Sequence, residues 1–379
     1  MDKEIFVYVG GFEMPDKNAA AHRVTNIGNI LRRNGKIVIY IGADRNRSVR
    51  TEILTSRQEF NGFECYAVGY PQSHSEWISY LSSAKKYIKV IESLNCVKGV
   101  IFYNFPSLAM RNLYLYCRKH GIKCYADVTE WYSGKGQGLL WGVIKSADSW
   151  YRMHVMHKKM DGMIVISQYL ENYYRKCRNV VRIPVLADLD DPKWENHYDK
   201  STDELKLVYA GWPKKKDRID YLIEALMDVK RPYHLDVVGI TREQYLTMYP
   251  QHKEWLEGNE KVTFQGRISH TEALEYVKKA NYSCFFRPDD RVSKAGFPTK
   301  FVEAVCCGTP VIMNDTSDLK MFVCKGKNGI CIQNNSIELI RDIIESIEYV
   351  LETDASMFDC NEYEDIVFNF LNEDDNENK

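Results

Sequence analysis

Three features are scarce in this sequence: paired cysteines, long apolar runs and an excess of charge of either sign. Its 11 cysteines are scattered and form no Cys-x-x-Cys pair, which disfavours a zinc site and suits free thiols in a reducing cytosol. No stretch reaches the roughly 18 apolar residues that span a bilayer. The formal net charge is -1, whereas a dedicated nucleic-acid binder is usually basic. We expect a cytoplasmic protein that binds no nucleic acid, with at most a peripheral contact at the inner face of a membrane.

The sequence does contain a repeated alternation of strand and helix patterns, which predicts parallel sheets. The alternation restarts after a polar stretch at 188–204. We therefore predict an α/β protein with two Rossmann-like, doubly wound domains that face each other across a cleft, at 1–186 and 187–350. Residues 351–379 are predicted to hold a C-terminal helix, able to cross back to the first domain, and an acidic disordered tail.

Glycines follow the first strand of each predicted domain, where open α/β sheets bind ligands. Gly10 and Gly11 allow close approach of a phosphate, and the next helix offers its N-terminal amides. The full Gly-x-Gly-x-x-Gly fingerprint is absent, so a tight turn without a ligand is the alternative. In the second domain, Gly211 precedes three lysines that end at Lys216 and suit a phosphate as point charges. A solvated basic loop is the alternative there.

The stretch 285–304 combines cations with the start of a helix. Arg287 ends a buried strand, Arg291 lies in the following loop, and Gly296 begins a turn before the helix. Cations beside a helix N-terminus form an anion site because the helix dipole adds to their charge. Glu303, about one turn into the helix, can accept two hydroxyl hydrogen bonds, as a ribose needs. The alternatives are a surface or capping carboxylate and arginines paired with nearby aspartates.

This stretch resembles the retaining GT-B glycosyltransferases of family 4, which carry a domain known as glycosyl transferases group 1. The resemblance rests on Gly-Phe-Pro-x-x-x-x-Glu-Ala at 296–304, followed by Cys-Gly-Thr-Pro-Val-Ile at 307–312. Lesser matches lie at 161–167 and 219–226. It covers most of the chain, is strongest over 205–332, and implies the GT-B fold.

The resemblance also implies roles for the matching residues. Glu303 would hold the ribose of a UDP- or GDP-sugar, and Lys216, assisted by Arg287 or Arg291, would contact the diphosphate. Backbone amides of the Gly-Phe-Pro turn and of the Gly10-Gly11 loop would address phosphate and sugar hydroxyls. Such enzymes usually need no divalent metal or other cofactor. The implied donor-binding residues are Gly10, Gly11, Gly211, Lys216, Arg287, Arg291, Gly296, Phe297, Pro298, Thr299, Lys300 and Glu303.

Two positions depart from the family pattern. The family motif has a second glutamate eight positions before Glu303, and Ala295 stands there instead. The sugar end of the site is therefore not standard. The usual glycine–arginine start of the phosphate loop is replaced by Gly211-Trp212. Arg287 or Arg291 would then supply the missing charge.

Acidic residues follow a strand in the first domain. Asp127 and Glu130 are expected to reach the cleft as catalytic groups, since carboxylates accept hydroxyl hydrogen bonds; a helix cap at Asp127 is the alternative. Asn18 and His22 are candidates for contact with the acceptor, although a surface histidine is the alternative for His22. His154 and a second histidine three residues later have no third ligand nearby, so no metal site is predicted.

The sequence therefore predicts retaining transfer of a hexosyl group from a nucleoside diphosphate sugar to a hydroxyl of a glycan or lipid-linked acceptor, in bacterial surface polysaccharide synthesis. In such a reaction the enzyme mainly positions the reactants and stabilises charge. Two alternatives remain, a sugar-nucleotide 2-epimerase and a catalytically silent sugar-nucleotide-binding partner. The predicted catalytic residues are Asp127, Glu130, Lys216 and Arg291.

Overall fold

The chain divides into two compact units, each built around one sheet. The first unit holds residues 1–186 and 360–379, and the second holds 187–359. The computed structural model describes residues 4–15, 18–131, 139–213, 217–323 and 326–376.

Within the described residues, the first unit contains an eight-stranded sheet in the order β3-β4-β2-β1-β5-β6-β7-β8. Its pairs are parallel except for β3 and β4, which pair antiparallel. The central strands are apolar on both faces, as burial on both sides of a parallel sheet requires. The strands are β1 (Ile5–Gly10), β2 (Ile37–Asp44), β3 (Gln58–Phe60), β4 (Phe63–Gly69), β5 (Val97–Tyr103), β6 (Lys123–Val128), β7 (Gly162–Val165) and β8 (Val180–Arg182).

Helices connect these strands. The apolar spacing over 76–94 predicts a single helix, but the structure has two helices there, separated by Ser83 and Ala84. The backbone of Ser83 is extended there (φ -90°, ψ 129°), and its hydroxyl accepts a hydrogen bond from the amide of Lys85. Serine side chains that bond the local backbone compete with helix formation. The helices are α1 (Ala19–Arg33), α2 (His74–Ser82), α3 (Lys85–Glu92), α4 (Ser107–Lys119), α5 (Leu139–Tyr151) and α6 (Gln168–Tyr174).

The second unit contains, among the described residues, a six-stranded parallel sheet in the order β11-β10-β9-β12-β13-β14. The two sheets confirm the predicted pair of Rossmann-like α/β domains. The strands are β9 (Leu205–Ala210), β10 (Tyr233–Val238), β11 (Val262–Gly266), β12 (Tyr282–Phe285), β13 (Val311–Asn314) and β14 (Gly329–Ile332). The helices are α7 (Ile219–Met227), α8 (Arg242–Met248), α9 (Lys253–Glu257), α10 (His270–Lys279), α11 (Arg291–Ala295), α12 (Thr299–Cys306), α13 (Leu319–Phe322) and α14 (Ile337–Ser346).

The last helix, α15 (Glu364–Asn376), packs on the first unit. Its Phe370 ring lies 5.5 Å from that of Tyr125, and its backbone carbonyl accepts a hydrogen bond from Asn179. The second unit extends past residue 350, where its predicted domain ends. Phe358 is buried in that unit, with its ring 5.0 Å from the ring of Phe322. Because of this apolar packing, the second unit ends at Asp359.

Within the described residues, the parallel strands of each sheet have one place where the strand order reverses. In the first unit it lies between β1 and β5, and in the second it lies between β9 and β12. In open α/β sheets, ligands bind beyond the carboxyl ends of the strands at such a switch point. The two switch points are therefore where a functional site is to be sought.

Candidate functional site

The strands at the switch point of the second unit lead directly into charged residues. Gly211 and Asp217 follow β9, and Arg287 follows β12. The amide of Arg287 donates to Oδ1 of Asn314 at the end of β13 (2.8 Å), and the Nδ2 of Asn314 donates back to the carbonyl of Arg287 (3.0 Å). This reciprocal pair fixes the backbone of Arg287 beside the carboxyl ends of the strands.

Asp217 lies at the centre of a buried cluster. Its carboxylate accepts hydrogen bonds from the Tyr209 hydroxyl (2.9 Å), from Nε of Arg287 (3.1 Å) and from Nζ of Lys300 (2.5 Å). Only 5% of the Asp217 side chain is exposed. Two predicted donor-binding residues, Arg287 and Lys300, thus meet on a carboxylate to which the sequence assigned no role.

Opposing effects set the ionisation of this cluster. Burial alone would raise the pKa of Asp217, but the charges of Lys300 and Arg287 outweigh burial and hold that pKa below its ordinary value. Burial lowers the pKa of Lys300, against the attraction of Asp217. Burial, followed by the charge of Asp217, raises the pKa of Tyr209 well above its ordinary value. The cluster therefore holds one ionised carboxylate between two cations.

The two cations keep donors that Asp217 does not use. Arg287 binds Asp217 through Nε, and its two Nη groups make no hydrogen bond within the part of the chain that the structure describes. The Lys300 ammonium lies 4.1 Å from the centre of the Tyr209 ring. Arginine Nη groups suit phosphate oxygens in pairs, so the arrangement can bind a diphosphate.

Gly211 leaves room for Lys300. A Cβ built on Gly211 would lie 3.1 Å from the Lys300 Nζ, and its φ of +139° lies in a region that favours glycine. Its amide donates to the carbonyl of Val238 (2.9 Å). The structure therefore gives Gly211 a spacing role, with its amide occupied.

The turn before α12 is held by a buried ring. Phe297 packs edge-on against Phe322, with ring centres 5.3 Å apart. The amide of Gly296 donates to the carbonyl of Val292 (3.2 Å), and its predicted contact with the donor stays a prediction. The ring of Phe297 and the amide of Gly296 therefore both stabilise the turn through contacts within the second unit.

The N-terminus of α12 is open to an anion. Pro298 precedes the helix and, within the described residues, no side chain caps it. The carbonyl of Pro298 accepts the amide of Phe301 (3.1 Å). Thr299 and Lys300 begin the helix, so the positive end of its dipole and the Lys300 ammonium lie together.

Glu303 lies one turn further along α12 and is partly exposed. Its Oε1 is 3.1 Å from Nε2 of His270, the first residue of α10. His270 was not predicted, because it is distant in sequence from the motif. The contact orients the carboxylate, which stays partly exposed.

One other predicted residue of this unit stands apart from the cluster. Arg291 is exposed at the start of α11, and the structure brings Arg287, not Arg291, to Asp217. Lys216 lies outside the described residues, so its predicted contact with the diphosphate stays a prediction.

In the first unit, the Gly10-Gly11 loop is tightly packed. A Cβ on Gly10 would lie 1.9 Å from the carbonyl oxygen of Tyr103 in β5. The amide of Gly11 donates to that same oxygen (3.2 Å). The strand beside it thus uses the Gly11 amide in this structure, and the predicted contact of this loop with phosphate stays a prediction.

The catalytic role predicted for Asp127 is contradicted. Its carboxylate is fully buried, accepting from the Tyr8 hydroxyl (2.6 Å) and from Nη2 of Arg23 (2.8 Å). Arg23 in turn donates to the carbonyls of Ile183 (3.2 Å) and Pro184 (2.9 Å). This ion pair ties α1 to the sheet and encloses the carboxylate, so no substrate can meet it.

The predicted acceptor residues lie at the start of α1. The Asn18 side chain accepts the amide of Ala21 (2.9 Å) and so caps the helix. His22 Nε2 lies 3.3 Å from Nδ2 of Asn26. Glu130 is half-buried just beyond β6. The acceptor roles of Asn18 and His22 and the catalytic role of Glu130 stay predictions.

Among the described residues, no group of three or more His, Cys, Asp or Glu side chains is placed to hold a metal. His157 is buried against the Tyr174 hydroxyl (2.9 Å), and burial together with Arg152 lowers its pKa to about 3. No described helix is long and apolar enough to cross a membrane.

Comparison with solved structures defines the class of fold. The chain is similar to sucrose-phosphate synthase from Thermosynechococcus elongatus (TM-score 0.72, 15% identity), covering 98% of this chain and 99% of that one. It is also similar to Anabaena Alr3699/HepE in complex with UDP and glucose (TM-score 0.65, 12% identity), covering 97% and 99%. These likenesses, with the two Rossmann-like sheets, show the GT-B fold.

Residues 190–364 match the family described as Glycosyl transferases group 1. One curated relative, "Uncharacterized glycosyltransferase MJ1069" of Methanocaldococcus jannaschii, is 23% identical over 209 residues, which are 51% of each chain. The match thus spans about half the length of that relative.

Proposed function

We propose that this protein is a glycosyltransferase that binds a nucleoside diphosphate sugar in its second unit. The observation that carries the proposal is the placement of Lys300 and Arg287 on Asp217, at the switch point and beside the open N-terminus of α12. Two cations with unused donors and a helix dipole suit a diphosphate. The family match of this region and the complex of the similar Anabaena protein with UDP support the same assignment.

In the proposed reaction, the bond between the anomeric carbon and the diphosphate oxygen breaks, and a bond to an acceptor hydroxyl forms on the same face. The acceptor proton passes to the departing phosphate oxygen. Lys300 and Arg287, joined by Lys216, neutralise the charge on the leaving diphosphate and take the place that a divalent metal holds in other transferases. Glu303 holds the ribose hydroxyls, with His270 orienting it.

The finer proposal is a retaining enzyme of family 4 that transfers a hexosyl group from a UDP- or GDP-sugar to a glycan or lipid-linked acceptor. Its place would be bacterial surface polysaccharide synthesis in the cytoplasm, at the inner face of the membrane. The Gly-Phe-Pro turn and Glu303 support the nucleotide end of this proposal. Ala295, which is buried where the family has glutamate, leaves the identity of the sugar to other groups.

Calorimetry with UDP, GDP and uridine tests the donor site. Lys300→Met should weaken UDP binding at least about tenfold and leave uridine binding unchanged, because the ammonium faces phosphate. Glu303→Gln should weaken both ligands, since ribose is common to them. Lys279→Met, at an exposed lysine on α10, is the matched control and should change neither. Equal UDP affinity in Lys300→Met and wild type would remove Lys300 from the site.

Product analysis with a panel of sugar nucleotides then separates the reaction types. A glycosyltransferase forms a glycosidic bond only when an acceptor is supplied, and Lys300→Met should lower its turnover about a hundredfold. Release of free nucleoside diphosphate and an epimerised sugar without an acceptor would indicate a 2-epimerase. Donor binding without any product would indicate a silent partner.

A further inference from the structure

A pocket of about 520 Å³ opens on the first unit, close to the switch point between β1 and β5. Asn104 lines it just beyond the end of β5, and Tyr70 lines it just beyond β4. A Cβ on Gly11 would lie 3.8 Å from the carbonyl oxygen of Asn104, so the pocket adjoins the loop after β1. Its volume is in the range of small-molecule sites, and its place is where such folds bind ligands.

The walls of the pocket are mainly apolar and come from α2 and α5. Trp77 and Leu81 of α2 face Trp141 and Ile144 of α5. The rings of Trp77 and Trp141 meet edge to face at 6.2 Å, and Tyr70 meets Trp77 in the same way at 5.3 Å. These ring contacts join two helices that are otherwise little buried, and they form a lining that suits a hydrocarbon.

One cation of the pocket is left for a ligand. Arg152 donates to the carbonyl of Phe105 (3.2 Å) and pairs with Asp148 (3.7 Å), whose carboxylate also accepts the amide of Ser107 (2.7 Å). Lys145 also lines the pocket, and within the described ranges it makes no ion pair or hydrogen bond. A lone ammonium beside apolar walls suits a phosphate attached to a hydrocarbon chain.

The two helices that line the pocket also carry exposed apolar side chains. Ile78 on α2 is 69% exposed, and Trp150 on α5 is 58% exposed. Apolar side chains gathered on two neighbouring helices mark an interaction surface more often than single exposed residues do. A soluble glycan gains little from aliphatic side chains, whereas a lipid chain is removed from water by them.

We propose that this pocket binds the hydrocarbon chain of a lipid-phosphate acceptor, with Lys145 facing the phosphate. The inference rests on the proposed function, because only a glycosyltransferase has an acceptor. The pocket and the cluster of Asp217, Arg287 and Lys300, however, belong to different units. Binding at each can therefore be measured separately. This places the hydrocarbon of the acceptor against α2 and α5, whereas the acceptor residues predicted from the sequence, Asn18 and His22, lie at the start of α1.

Calorimetry with dodecyl phosphate below its micelle concentration tests the proposal, with dodecyl glucoside as a neutral amphiphile and maltotriose as a soluble glycan. Wild type should bind one dodecyl phosphate per chain. Trp141→Ala should weaken both amphiphiles about tenfold, and Lys145→Ala should weaken only dodecyl phosphate, again about tenfold. Val143→Ser is the matched control, because Val143 is exposed on the same helix and does not line the pocket.

Each other result overturns the proposal. If dodecyl phosphate does not bind, the proposal fails. If maltotriose binds and Trp141→Ala abolishes that binding, the pocket is a glycan site. Equal weakening by Val143→Ser and Trp141→Ala would indicate adsorption to a surface and not a pocket. UDP titration of every variant checks that the chain is folded. If wild type binds dodecyl phosphate but not UDP, the donor proposal fails and the pocket stands.

Discussion

Asp217 lies at the centre of the cluster that it forms with Arg287 and Lys300. Replacing it with asparagine would remove one charge there and keep the shape of the side chain. The wild-type carboxylate faces Lys300 at 2.5 Å and Arg287 at 3.1 Å, and 5% of it is exposed. Taking one partner from a buried ion pair typically costs about 3–5 kcal/mol, because the remaining charges stay buried without compensation. We expect Asp217→Asn to lose about 3 kcal/mol of unfolding free energy and to lower the melting temperature by about 10 °C.

Urea unfolding at pH 7 measures the loss, and the chain offers a matched control. Asp289 pairs with Lys294 at 2.6 Å, a similar distance, but its side chain is 76% exposed. Exposed pairs contribute about 1 kcal/mol or less, so Asp289→Asn should change the stability little. An equal, small loss in both variants would refute the reasoning, because it would mean that Asp217 is solvated and the cluster is not preorganised.

The pH dependence gives the same prediction an independent check. The pKa of Asp217 is held below its ordinary value of 3.8, so its ionised form is favoured in the folded chain. The stability it contributes is therefore fully present above about pH 4 and is lost as the pH falls through the lowered pKa. The difference between wild type and Asp217→Asn should be constant from pH 7 to pH 5 and shrink below pH 4. A difference that grows on acidification would contradict the sign of this linkage.

Two further predictions concern packing outside the cluster. Asp127→Asn should lose about 3 kcal/mol of stability, because it leaves Arg23 buried without its partner, while UDP affinity stays at the wild-type value; a stable variant with turnover lowered more than a hundredfold would restore Asp127 as a catalytic group. Phe358→Ala should lose about 3–5 kcal/mol, since its buried ring fills space beside Phe322 in the second unit. In that variant the transition of the second unit should move alone, and an unchanged melting curve would place Phe358 outside that core.

Several parts of the fold follow from local patterns. Buried strands such as β1 and β9 are predicted because runs of apolar residues between turn signals leave few other structures possible. The short strands β3 and β8 are not predicted, since their side chains are exposed or half-buried and carry no apolar alternation. The break between α2 and α3 is not predicted either. The helical spacing of apolar residues continues across Ser83, although the backbone of Ser83 is extended and not helical.

The candidate site divides in the same way. The Gly-Phe-Pro turn, the start of α12 and the place of Glu303 follow from a contiguous motif, as glycine, proline and helix-forming residues act over a few positions. Asp217 is different, because its partners Arg287 and Lys300 lie 70 and 83 positions away along the chain. No local pattern carries such a contact. His270, which orients Glu303, is missed for the same reason.

The sequence by itself determined two α/β domains, a Gly-Phe-Pro turn that leads into a helix at 296–303 and an excess of cations near it, because these depend on residue type and short-range order. Only the tertiary structure decided which cations serve the site. Strands β9 and β12 are neighbours in the sheet, so Arg287 and Lys300 converge on Asp217 while Arg291 stays exposed. It also enclosed Asp127 with Arg23, and left Lys145 unpaired, within the described residues, beside the apolar pocket of the first unit. These outcomes depend on burial and on charge pairing between segments that are distant in the sequence, and no local sequence pattern reports either of them.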